Sequence, residues 1–151
     1  MASEKCVICG HVGLEKTTSD VSRTFNRTTV SATIPMLQCP ACEEGYYESA
    51  DLSAFETAVT DELVRTGNVS GAAFRFVRKS VGITAQDFAA LLGVTPGTIS
   101  RWEQGHDDVD RAAWVVLGSM LHDKRAGRDD TRRTLEAAAH PTPMPTVVKV
   151  A

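Results

Sequence analysis

Four cysteines constrain this chain more than any other feature. They fall as Cys6-x2-Cys9 and Cys39-x2-Cys42, all within the first 42 of 151 residues. A CxxC turn aims two thiolates at one point, and two such turns close a tetrahedral S₄ cage that suits Zn²⁺. Four thiolates leave no open coordination position, so the metal implied is one structural Zn²⁺ on Cys6, Cys9, Cys39 and Cys42, not a catalytic one. A redox dithiol is the competing reading of any CxxC. His11 replacing a cysteine ligand is the lesser alternative to a surface histidine.

The 29 residues between the pairs exceed the usual 15–20 and must hold structure of their own. "RTTVSATIPMLQC" alternates: Val30, Ala32, Ile34 and Met36 share one face, and Thr29, Ser31 and Thr33 the other. That is the period of a strand. "VGLEKTTSDVSRTF" and "GYYES" are weaker strand candidates. Two or three strands bury little by themselves, so the metal serves as a staple. Gly10 and Gly45 follow the two cysteine pairs, where tight turns are needed.

"SADLSAFETAVTDELVRTG" then places Leu52, Phe55, Val59 and Leu63 at helical spacing, with Gly67 as its stop. "RTGNVSG" reads as a linker. Beyond it Ser70, Thr84 and Thr95 each precede an apolar-periodic run, as N-caps do. Gly82, Gly93 and Gly105 end those runs, and Pro96 occupies the first position of the third helix. Val94 and Ile99 are spaced as a hydrophobic staple. Arg78 and Glu103 are read as an inter-helix ion pair.

On a helical wheel the third of these helices divides cleanly. Ile99, Trp102 and Glu103 face one way; Gly97, Arg101 and Gln104 face the other, with Thr98 beside them. Such a helix can lie in a DNA major groove with its outer face toward base edges. Arg101 matches guanine O6 and N7, Gln104 matches adenine or a phosphate, and Thr98 matches a thymine methyl or a phosphate. Arg75 and Lys79 are candidate phosphate contacts.

Charge supports this division of labour. The net charge is −3, but residues 1–69 carry 5 basic and 10 acidic side chains, whereas residues 70–105 carry 4 basic and 2 acidic. The acidity sits in the cysteine-bearing part, and the helix-turn-helix part is mildly basic. No apolar run spans a membrane and the N-terminus lacks a secretory h-region, so no membrane is involved and the cytoplasm is the default. No nucleophile–base pair, carboxylate dyad or phosphate loop stands out, and an enzyme is not expected.

"GITAQDFAALLGVTPGTISRWEQG" resembles the XRE-type helix-turn-helix proteins. Together with the CxxC…CxxC front half, the chain to about residue 122 resembles the MqsA antitoxins with their YgiT-type zinc finger. The resemblance implies an α+β N-terminal zinc-ribbon-like domain followed by an all-α XRE-type helix-turn-helix domain. The expected boundaries are 1–66 for a zinc- and toxin-binding domain, 67–71 for a linker, 72–139 for a DNA-binding and dimerisation domain, and 140–151 for a flexible tail. It implies a type II antitoxin that binds a cognate toxin, forms a homodimer, and represses its own operon at a palindromic double-stranded DNA operator. Arg101 inherits a base-contact role, Thr95 and Gly97 fall on the DNA-facing side of the motif, and Gln86, one residue past the motif's glutamine position, is the candidate substitute for its phosphate contact.

Two departures stand out. The family's base-reading asparagine falls at Gly97, which has no side chain to read with, so the operator differs. The phosphate-binding glutamine of XRE-type proteins directly follows the threonine of the second helix; here Ala85 occupies that position and Gln86 comes next. After Asp110, "RAAWVVLGSMLHD" carries more apolar residues than one module's core requires, and Trp114, Val115, Met120 and Leu121 are expected to form an exposed dimer surface, with packing into the module's own core as the alternative. A stand-alone zinc-containing transcription regulator and a protein-interaction module that binds no DNA are the alternative functions.

Overall fold

The computed structural model describes residues 4–151. The chain divides into two compact units, the first ending at Thr66 and the second starting at Gly67.

The first unit is an antiparallel sheet with one helix. Strand β1 (Glu15–Phe25) pairs with β2 (Thr28–Gln38) over their full length, and β2 pairs with the short β3 (Gly45–Tyr46), giving the order β1-β2-β3. The β1–β2 turn needs only Asn26 and Arg27, and Asn26 takes the left-handed φ of +55° that such a tight turn demands. Alternation along both strands puts Val21, Arg23, Phe25, Val30, Ala32 and Ile34 on the covered face and leaves the intervening Ser and Thr exposed. Helix α1 (Ser49–Thr66) meets β2 and buries Phe55, Val59 and Leu63 at helical spacing. Arg23 ties sheet to helix, with its guanidinium 6.0 Å from the centre of the Phe55 ring and 2.8 Å from Glu56.

The second unit is all helical: α2 (Gly71–Val81), α3 (Ala85–Leu92), α4 (Pro96–Glu103), α5 (Arg111–Arg125) and α6 (Asp130–Ala139). Ser70, Thr84, Thr95 and Asp110 cap α2 to α5, each accepting the N–H three residues on. Gly82 and Gly93 end α2 and α3 in the left-handed conformation. The core centres on Phe74, whose ring lies 5.9 Å from that of Phe88 and 5.8 Å, edge-on, from that of Trp102. Val77, Ile99, Leu117 and Leu121 are buried with them, each worth about 1.5–3 kcal/mol of transfer free energy. The exposed residues 140–151 form no helix or strand.

Two local readings of the sequence are corrected. Gly71 is not linker but the first residue of α2, directly after the Ser70 cap, and glycine is required there: a Cβ would run into the carbonyl oxygen of Trp102 and sit 2.8 Å from that of Glu103. The turn after the second cysteine pair is made by Glu43, at φ +62°, and not by Gly45. Gly45 is in β3, where a Cβ would press on the Met36 sulfur at 2.6 Å.

Candidate functional sites: a four-cysteine centre and an exposed helix face

Two similar knuckles converge in the first unit. In one, the Gly10 N–H donates to the Cys6 carbonyl at 2.9 Å and the Cys6 N–H to the His11 carbonyl at 2.8 Å. In the other, the Glu43 N–H donates to the Cys39 carbonyl and the Cys39 N–H to the Glu44 carbonyl, both at 2.9 Å. Gly10, at φ +79°, and Glu43 supply the left-handed residue each turn needs. The four sulfurs lie within 4.8 Å of one another, with Cys6–Cys42 and Cys9–Cys39 at 3.6 Å. Zn–S bonds of about 2.3 Å require tetrahedron edges of about 3.8 Å, so the cluster has the size and donor set for one Zn²⁺. All four thiols are free; Cys6 and Cys39 are buried and Cys9 and Cys42 exposed. His11 is exposed and stands outside the cluster.

The sequence reading missed Tyr46. Its hydroxyl stands 3.1 Å from Cys6 Sγ and accepts the Val7 N–H at 3.2 Å. The Tyr46 hydroxyl, helped by the Cys9 and Ile8 backbone amides, brings the Cys6 thiol down to about 6. Cys42 goes the other way: the Glu44 amide lowers it, but partial loss of hydration around the sulfur and the three neighbouring thiols outweigh this and push it up to about 12. Thiols this close cannot all ionise without a cation among them. No spacing rule links Tyr46 to Cys6; it is β3, pairing with β2 beside Cys39, that brings it there.

In the second unit α4 turns Ile99 and Trp102 into the core. Arg78 crosses from α2 to pair with Glu103 at 2.6 Å, with side chains only 9% and 10% exposed. On the other side Thr95, Gly97, Arg101 and Gln104 are exposed and Thr98 is half-buried. Thr95 and Thr98 hydroxyls lie 3.0 Å apart, and Gln104 Nε2 donates to Ser100 Oγ at 3.1 Å. Arg75, Lys79 and Gln86 are also exposed, on α2 and α3. Arg101 is not free: Asp107 accepts from its Nε at 2.6 Å and from Nη2 at 3.1 Å. That bond raises the guanidinium further and holds the Asp107 carboxyl below the usual carboxylate range.

The expected exposed apolar surface on α5 is corrected. Trp114, Met120 and Leu121 are buried within the unit, at 6%, 6% and 0% exposure. Helix α5 packs on both α2 and α6, so it needs a wider apolar face than a helix with one neighbour. Of those four residues only Val115 is exposed, at 62%.

Among the described residues no helix is long and apolar enough to cross a membrane. No curated protein matches the chain. The family model described as the antitoxin component of a bacterial toxin-antitoxin system, MqsA, matches residues 4–125. With a four-cysteine zinc-type centre on a small sheet and a helix-turn-helix unit after it, the chain belongs to the MqsA antitoxin family.

Proposed function

We propose that this chain is a type II antitoxin whose first unit, up to Thr66, binds a cognate toxin and whose second unit dimerises and represses its own operon. The observation that carries the DNA-reading half is the division of α4: Ile99 and Trp102 are buried while Thr95, Gly97, Arg101 and Gln104 face outward. Such a helix presents its outer side to a major groove. Arg101 reads guanine; Gln104 and Thr98 contact a neighbouring base or phosphate. Thr95, Gln86, Arg75 and Lys79 contact the backbone, and Gly97 lets the helix approach closely. A homodimer on a palindromic operator doubles these contacts, with Val115 in the dimer surface. The acidic first unit favours a basic partner, because complementary charge speeds encounter. Both actions belong in the cytoplasm.

The partner half is tested by co-expressing the full chain with the protein encoded beside it and isolating the complex. The wild type and Arg101→Ala are expected to retain that protein, and the double variant Cys9→Ser, Cys42→Ser to lose it. Failure of the wild type to retain it contradicts the toxin-binding reading.

A further inference from the structure

Asp107 is exposed and lies beyond the end of α4, yet it engages the side chain best suited to read a base. The contact is built rather than incidental. Gly105, at φ +74°, reverses the chain after α4 and donates its N–H to the Trp102 carbonyl at 3.1 Å. The N–H groups of His106 and Asp107 then donate to the Arg101 carbonyl at 2.9 and 3.4 Å. The turn is thus fastened to the backbone of the residue whose side chain its carboxylate holds.

A guanidinium has five N–H donors in a rigid fork. Asp107 takes the Nε–H and one on Nη2. Three remain, and two of them, one on Nη1 and one on Nη2, form the end-on pair that matches guanine O6 and N7. The carboxylate also cancels most of the charge that draws an exposed arginine to phosphates. Arg101 is 59% exposed, so without this partner its long side chain samples many rotamers.

We propose that Asp107 is a specificity-determining positioning residue: it orients the end-on donors of Arg101 toward a guanine edge and keeps the side chain off the phosphate backbone. This rests on the reading of α4 as the DNA-reading helix.

The test uses the full zinc-loaded chain. A site is selected from a randomised duplex library, and fluorescence anisotropy then measures binding to that duplex, to single G·C→A·T substitutions of it, and to an unrelated duplex across a salt series. Arg101→Ala identifies the base pair that Arg101 reads. Asp107→Asn is expected to lose about tenfold of the discrimination at that base pair. Its binding to the unrelated duplex is expected not to weaken, and its salt slope to steepen by about one. Asp107→Glu is expected to restore part of the discrimination, with thermal unfolding unchanged in both variants. Discrimination by Asp107→Asn equal to wild type, or equal weakening on every duplex, overturns the proposal. If Arg101→Ala erases the preference and Asp107→Asn keeps it, Asp107 alone loses its role. If the wild type selects no sequence, or Arg101→Ala keeps the preference, the DNA-reading assignment of α4 falls as well.

Discussion

Arg78 donates through Nε to Glu103 at 2.6 Å and through Nη1 to the carbonyl of Ile83 at 2.8 Å, joining α2, α4 and the α2–α3 turn. A buried ion pair adds little over an apolar substitute, but losing one member leaves the other charged and unpaired. Glu103→Ala is therefore expected to destabilise the second unit by about 3–5 kcal/mol in urea unfolding. A change within experimental error contradicts the pair's role in holding α4 to α2.

Gly71 makes a sharper prediction because the usual rule has the opposite sign. Gly→Ala inside a helix ordinarily stabilises by about 0.4–1 kcal/mol. Here the added Cβ meets the carbonyl oxygens of Trp102 and Glu103, so Gly71→Ala is expected to cost about 1–3 kcal/mol. A stabilised variant refutes the close approach of α2 to α4.

Chelation of zinc is expected to unfold the sheet unit while the helical unit stays folded, since its core owes nothing to the cysteines. Backbone amide spectra separate the two sets of signals. Tyr46→Phe keeps the ring but removes the hydroxyl beside Cys6, and about 10–100-fold weaker zinc binding is expected in a chelator competition. Unchanged affinity means that the hydroxyl does not orient the ligand.

Asp123, on α5, fastens the start of α6: its Oδ2 accepts the Thr131 N–H at 2.7 Å. Hydrogen bonds from Thr131 lead in lowering its carboxyl, with Arg128 assisting. A lowered folded-state value means that this anchoring is fully present above the unfolded value of about 3.9 and fades as pH falls through the folded one. Protection of the Thr131 amide from exchange is expected to hold at pH 5 and to fall only at more acid pH. Loss already near neutral pH contradicts the anchor. Asp123→Asn, lacking the charge, is expected to lower that protection across the whole range.

What could be read from the chain follows from the range of each interaction. The strand alternation at Val30 to Met36, the caps at Ser70, Thr84 and Thr95, and the two faces of α4 are written in neighbouring residues. They agree with the structure because local chemistry decides them. The MqsA likeness stated from "SRWEQG" and the cysteine pairs matches the family model. The misread positions depend on what comes from elsewhere in the chain. Gly71 passes for a linker residue until α4 lies against it, and Trp114 passes for surface until α2 and α6 flank α5. Glu43 adopts a glycine-like φ because the second knuckle must match the first. Asp107 reaches Arg101 across a turn, so neither the i+3 nor the i+4 rule for helices finds it.

In the proposed function α4 reads DNA through Arg101. The most direct measurement is an anisotropy titration of the full zinc-loaded chain, wild type and Arg101→Ala, on a duplex from its own promoter and on a shuffled duplex. The wild type is expected to prefer the promoter duplex. Arg101→Ala is expected to lose about 1–3 kcal/mol of that preference for each half-site base pair it reads, while still binding both duplexes weakly. An undiminished preference in Arg101→Ala contradicts the claim.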